Sequence, residues 1–87
     1  MHITLEVDEE AKALYFRLRE GEIAETVEYP EVEEIFLDLD DHGQILGIEV
    51  LDPGGIDIQS VFAELSKRYN IADLSPLLSK SLVELVA

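Results

Sequence analysis

Alternation of apolar and polar residues on either side of a short acidic turn is the feature that most constrains the fold of this chain. Residues 35–40 and 45–51 flank the segment Asp41-His42-Gly43-Gln44. Period-two alternation is typical of β-strands, and a short turn containing glycine joins antiparallel neighbours. Residues 40–43 fit a type I turn, with Gly43 free to adopt positive φ. The sequence therefore predicts a β-hairpin.

The same stretch also approaches the pattern of a calcium-binding loop. That pattern requires acids at positions 1, 3 and 5, glycine at 6 and glutamate at 12. If residue 38 is taken as position 1, the five template positions are occupied, in order, by Asp38, Asp40, His42, Gly43 and Glu49. Only the fifth position is wrong in type, because imidazole is a poor ligand for a hard cation.

The hairpin register separates the acids of this pattern. We expect Asp38 opposite Leu46, so that Glu49 falls about 10 Å further along the sheet and on its other face. We therefore interpret the stretch as a hairpin and predict no metal site or cofactor. Weak binding of a divalent cation or small ligand by Asp38, Asp40 and Asp41 is the alternative.

Three further segments alternate with the same period, and a helical segment follows them. Strands are predicted at residues 3–7, 14–18 and 24–29. The β region ends at the turn-forming sequence of residues 52–55, which contains proline and two glycines. Apolar residues then recur at helical spacing after the N-cap candidate Asp57, at Ile58, Val61, Phe62 and Leu65. Asn70 suits the end of this helix, and Ser75 with the following proline suits the start of a second.

These segments predict a single α+β domain over residues 1–87. An antiparallel β-meander of four or five strands occupies residues 1–52, and two helices form the segment 56–87. A chain of 87 residues has room for one modest core. We expect a cytoplasmic protein, since no leader and no membrane-spanning run is evident.

The net charge of −14 is concentrated in the predicted sheet. Residues 1–52 contain 16 acidic and 3 basic side chains, whereas residues 53–87 contain 4 and 3. Nucleic-acid binding depends on basic side chains that displace counterions, so this composition argues against it. A basic partner, whether a protein or a cation, is electrostatically plausible, and the alternative is that the acidity only supplies solubility.

The residues that usually carry catalysis are sparse. There is no cysteine, and the two histidines, His2 and His42, lie at the terminus and in the predicted turn. An isolated histidine lacks the orienting partner that base catalysis needs. The serines fall on predicted helices or caps, outside any nucleophile elbow. We therefore expect a protein that is not an enzyme.

Three segments resemble one known family. VDEEAKALYFRL (7–18), ETVE (25–28) and DLDDHGQILGIEVLD (38–52) are similar to the small bacterial and archaeal domain of unknown function numbered 2283, over about residues 3–52. Val7 stands where that family usually has an aromatic residue, and Lys12 where it tends to have aspartate. The resemblance implies the fold and the hairpin, and it implies no activity.

Surplus apolar surface predicts self-association, and the alternative is that the helices fold over the sheet and bury this surface. We expect Phe36, Leu46, Ile48 and Val50 on one face of the hairpin, and Leu37, Leu39, Ile45 and Leu51 on the other. The final helix is apolar around much of its circumference, which indicates an interface. The residues we expect there are Leu78, Leu82, Leu85, Phe36 and Ile48. The sequence thus predicts a homodimeric, non-catalytic interaction module, antitoxin-like or adaptor-like, that binds a basic partner.

Overall fold

The computed structural model describes residues 3–30, 34–53, 57–71 and 74. Within them, five antiparallel strands and one helix confirm the predicted α+β class. In chain order the elements are β1 (Thr4–Asp8), β2 (Ala13–Arg17), β3 (Glu25–Glu28), β4 (Ile35–Leu39), β5 (Ile45–Leu51) and α1 (Ile58–Arg68). No helix of the described ranges has the length and apolar character needed to cross a membrane. The second predicted helix, from residue 75 onward, lies outside the described residues.

The strand order is β1-β2-β5-β4-β3, so the predicted meander is wrong. A meander would place β3 beside β2, whereas β5 pairs with β2 on one side and β4 on the other. Five of the seven residues of β5 are buried, and none of the four residues of β3 is. The most apolar strand gains most from a central position, while a short acidic strand is suited to an edge.

The β4–β5 hairpin contains one extra residue on β5. Asp38 lies opposite Gly47 and Leu39 opposite Ile45, so Leu46 has no partner on β4. Such a bulge shifts which side chains share a face, because alternation resumes only after the extra residue. Glu49 consequently lies on the same face as Asp38. The predictions that Asp38 faces Leu46, and that Glu49 lies on the opposite face, are wrong.

The bulge also corrects the predicted division of the hairpin's apolar residues. On one face of the sheet, buried side chains come from all three central strands: Leu14, Phe16, Ile35, Leu37, Leu39, Ile45, Ile48 and Val50. Leu37, Leu39 and Ile45 therefore share a face with Ile48, and the predicted separation is wrong. Phe36 and Leu51 lie on the other face. We call that other face the open face, because no described element packs against it.

Helix α1 covers the buried face of the sheet. Its apolar side chains Ile58, Val61, Phe62 and Leu65 are all buried, as their spacing predicted. The rings of Phe16 and Phe62 lie 5.1 Å apart between centroids and are tilted by 56°. This arrangement is favourable for aromatic pairs, and it fixes α1 over the centre of the sheet.

Both ends of α1 have the caps that the sequence predicted. The carboxylate of Asp57 accepts a hydrogen bond from the hydroxyl of Ser60 at 2.8 Å. At the other end, Asn70 adopts a positive φ of 54°. The amide of Ile71 donates to the carbonyl of Ser66 at 3.1 Å, which is the long bond of a Schellman motif.

Candidate functional site

Two rows of side chains cross the open face from β1 to β3. In strand order the first row is Thr4, Arg17, Gly47, Asp38 and Thr26, and the second is Glu6, Tyr15, Glu49, Phe36 and Glu28. Four of these ten residues carry carboxylates and one carries a guanidinium group. The centre of the face is aromatic, because Tyr15 and Phe36 flank Glu49. The open face thus combines an aromatic centre with a predominantly acidic surround.

A hydrogen-bonded network joins Tyr15 of the second row to Asp38 and Thr26 of the first row. The hydroxyl of Tyr15 donates to Oδ2 of Asp38 at 2.6 Å, and the hydroxyl of Thr26 donates to Oδ1 at 2.5 Å. Oδ1 of Asp38 therefore accepts a bond from the adjacent strand β3, and Oδ2 accepts one from β2, two strands away. Short bonds to a charged acceptor are stronger than those between neutral groups. The network fixes the position of Tyr15 on the open face.

Gly47 makes this network sterically feasible. Tyr15 is on β2 and Asp38 on β4, so the phenol must pass over the intervening strand β5. It does so above Gly47, where an added Cβ would collide with Oη and Cζ of Tyr15. Glycine in a strand often marks a close approach by another group. The absence of a side chain at this position is therefore a requirement of the site.

The surroundings of Tyr15 hold its hydroxyl in the protonated form. Burial, the hydrogen bond to Asp38 and the negative charge of Asp38 together raise the pKa of Tyr15 from 10.0 to about 12. Arg17, whose guanidinium lies 5.3 Å from the centroid of the Tyr15 ring, opposes this rise. Tyr15 is consequently a hydrogen-bond donor at neutral pH and a poor candidate for a base or nucleophile.

A cavity of about 320 Å³ opens beside this network at the β1 edge of the open face. Its floor contains Ala13, Leu51 and the ring of Tyr15, and carboxylates line it at Glu6 and Asp8, with Glu49 further in. Arg17 also lines the cavity, and its guanidinium lies 4.0 Å from the carboxylate of Glu6. An apolar floor below several carboxylates suits a side chain with an aliphatic stem and a cationic end.

The acidic turn has the predicted hairpin geometry. The amide of Gly43 donates to the carbonyl of Asp40 at 3.1 Å, and Gly43 has a φ of 79°. Oδ1 of Asp40 accepts from the amides of His42 and Gln44 at 2.8 and 2.9 Å. These bonds, chiefly that of Gln44, lower the pKa of Asp40. The carboxylate of Asp40 therefore stabilises its own turn.

The three acids of the alternative cation site are differently placed. Asp38 is held by Tyr15 and Thr26 on the open face, and Asp40 accepts bonds from its own turn. Asp41 is exposed, with its carboxylate 3.6 Å from Nε2 of His42. Within the described ranges, no group of three or more histidine, aspartate or glutamate side chains is arranged to hold a metal ion.

The predicted interface residues are also separated by the fold. Phe36 is partly buried on the open face, whereas Ile48 is fully buried in the core on the opposite side. Leu78, Leu82 and Leu85 lie outside the described residues. The sequence did not identify Tyr15 and Gly47 as residues of the candidate site. In the sequence, Tyr15 is indistinguishable from any other aromatic residue of a strand. Gly47 was the one local signal, because a glycine inside a strand often indicates that another group packs closely against the backbone.

Comparison with known families gives a match over the sheet. The model of the family described as "Protein of unknown function (DUF2283)" matches residues 5–52, as the resemblance in the sequence predicted. The match covers β2 to β5 and all of β1 except Thr4, and it ends before α1. No curated protein and no solved structure matches the chain.

Proposed function

This chain belongs to the DUF2283 family, and we propose that it is a non-catalytic interaction domain that binds a basic protein through the open face. The observation that carries the proposal is the arrangement of that face, an aromatic centre surrounded by carboxylates. Interfaces typically have aromatic residues at the centre and polar residues at the rim. An excess of carboxylates favours a partner of opposite charge.

The alternative of weak divalent-cation binding by Asp38, Asp40 and Asp41 has less support. The oxygens of Asp38 already accept bonds from two side chains, and Asp40 accepts two backbone amides. A cation would have to share carboxylate oxygens that these donors already engage. Calcium or magnesium should therefore leave the melting temperature unchanged, whereas a concentration-dependent increase would favour the alternative.

Self-association is a second part of the proposal. Its support is the sequence of residues 75–87, including Leu78, Leu82 and Leu85, rather than the open face. Face-to-face pairing of two open faces would bring like charges together, which opposes that mode of dimerisation. Sedimentation velocity of the wild type against Leu78→Glu tests self-association, and a monomeric wild type contradicts it.

The proposed function can be tested with a charge-neutralised open face. The variant combines Glu6→Gln, Glu28→Gln and Glu49→Gln, which removes three carboxylates and leaves the Tyr15–Asp38 bond intact. Immobilised wild type and variant are exposed to the same native lysate, and retained proteins are quantified by mass spectrometry. We expect a basic protein that the wild type retains and the variant loses.

A control variant with the same change in charge distinguishes a specific face from general acidity. It combines Glu20→Gln, Glu22→Gln and Glu25→Gln, all exposed residues outside the two rows of the open face. We expect this control to retain the same basic protein as the wild type. Equal loss by both variants, or retention by both, contradicts the assignment to the open face.

A further inference from the structure

We propose that the partner contributes an extended basic segment, which pairs with β1 as a sixth strand and places a lysine or arginine side chain in the cavity beside Glu6. This inference rests on the proposed function and deepens it by naming the recognised element. Its grounds are the unpaired edge of β1, the apolar surface at that edge and the charge around the cavity.

The first ground is the position of β1 in the sheet. Within the described part of the chain, β1 pairs only with β2, so its outer edge has unpaired backbone donors and acceptors. All five of its residues pair in regular register with β2, and it contains no proline. An edge of this kind is a template for an added strand.

The other edge of the sheet is less suitable. Strand β3 has four residues, ETVE, and Pro30 follows shortly after it. Short strands, charged side chains and proline are the devices that protect edges from pairing. Among the described strands, β1 is therefore the edge better suited to pairing with a partner.

The second ground is exposed apolar surface along β1. Val7 is 39% exposed, although it lies on the side of the sheet where the core is. Leu5, on the same side of the strand, packs only partly against the core. An added strand with an apolar residue opposite Val7 would cover this surface, because directly opposed residues lie about 5 Å apart.

The third ground is the charge on the opposite side of β1. Glu6 and Asp8 point to the open face and line the cavity of about 320 Å³. A residue opposite Glu6 on the added strand would point to the same face, at the mouth of the cavity. A lysine or arginine there would meet carboxylates with its charged end and Ala13 with its stem.

The charge pattern also favours a foreign strand over a second copy of β1. The antiparallel register that pairs all five residues of two β1 strands places Glu6 opposite Glu6. Like charges directly opposite one another are destabilising. The segment that fits alternates basic residues, opposite Glu6 and Asp8, with an apolar residue opposite Val7.

The test uses a capped peptide in which lysine alternates with valine, titrated into the full chain labelled with nitrogen-15. We expect saturable, salt-dependent shifts concentrated in the amides of β1 and slowed hydrogen exchange at its outward-facing amides. A second peptide is N-methylated at the pairing amides, which retains its charge and removes its hydrogen bonds. It should bind about tenfold more weakly, the factor expected for the loss of about one or two hydrogen bonds.

Two variants separate this inference from the proposed function. Glu6→Gln with Asp8→Asn should weaken the lysine peptide about threefold to tenfold, whereas the matched pair Glu20→Gln with Glu22→Gln should not. If the N-methylated peptide binds as tightly as the unmethylated one, strand addition is overturned, but the proposed binding of a basic partner is not. If neither peptide binds and the lysate experiment finds no basic protein whose capture depends on the open-face carboxylates, strand addition and the proposed function are both overturned. If the protein without peptide has the mass of a dimer and already shows slowed hydrogen exchange at the outward-facing amides of β1, the edge is paired with a second copy of the chain.

Discussion

The phenol of Tyr15 occupies the space that a side chain at position 47 would fill. It extends from β2 across β5, and its hydroxyl reaches Asp38 on β4 at 2.6 Å. Three strands are therefore coupled at one point on the open face. The bulge at Leu46 is part of the same arrangement, because it brings Gly47 onto this face, opposite Asp38.

Gly47→Ala should destabilise the fold by about 1–3 kcal/mol, because the new methyl group overlaps the ring of Tyr15 and forces it off Asp38. The measurement is the free energy of unfolding in urea. The control is the same substitution in a Tyr15→Ala background, where the ring is absent and the cost should nearly vanish. An equal cost in both backgrounds would locate the effect in the backbone and not in the ring.

Tyr15→Phe should cost about 1 kcal/mol at neutral pH, since it removes one bond to a partly buried carboxylate. The folded pKa of Tyr15, about 12, lies above the unfolded value of 10.0. The folded state therefore holds the proton more tightly, and this contribution is complete below pH 10. It should be lost as the pH rises towards 12, so the stabilities of wild type and variant should converge there. A difference that stays constant across this range would contradict the assignment.

Lys12→Gly should be more stable than Lys12→Ala by about 0.5–1 kcal/mol. Lys12 has a φ of 53° in the β1–β2 turn, where side chains other than glycine are strained. Both substitutions remove the same charge, so their difference isolates the backbone conformation. Thermal unfolding measures it, and a more stable alanine variant would show that the turn relaxes.

Asp40→Asn should remove part of the acid sensitivity of the protein. The amides of Gln44 and His42 lower the pKa of Asp40 below 3.8, so its charged form stabilises the folded turn. That contribution is present above the unfolded pKa and is lost as the pH falls through the lower folded value. Melting temperatures should therefore decline less steeply below pH 3.8 in the variant. Asp41→Asn, which changes the charge equally, is the matched control and should follow the wild type.

Arg17→Gln should strengthen binding of the lysine peptide by about twofold to fivefold. Arg17 is the one basic residue in the rows of the open face, and it lies 4.0 Å from the carboxylate that the peptide would engage. Removing an exposed competitor of this kind changes the free energy by about 1 kcal/mol or less. Isothermal titration measures the change. Weaker binding would mean that Arg17 itself contacts the partner.

The sequence predicted local features well, because local residues determine them. The turn at Asp40–Gly43 and both caps of α1 follow from side chains within a few positions. The strand order could not be predicted in the same way, because it depends on which strand gains most from burial at the centre of the sheet. The open-face network also escaped prediction. Its partners Tyr15 and Asp38 are 23 residues apart in the chain, and one unpaired residue, Leu46, decides that they share a face.

The central position of β5 affects how the chain folds during synthesis. β1 and β2 are synthesised before the other described strands, but β5, the inner neighbour of β2, is the last of the described strands to be made. Until residue 51 has emerged, the β1–β2 hairpin and the β3–β4 pair have no strand to join them. Long-range pairing of this kind is slow and leaves unpaired edges exposed. The nascent chain should thus remain open to proteases until β5 is complete and then close the whole sheet in a single late step.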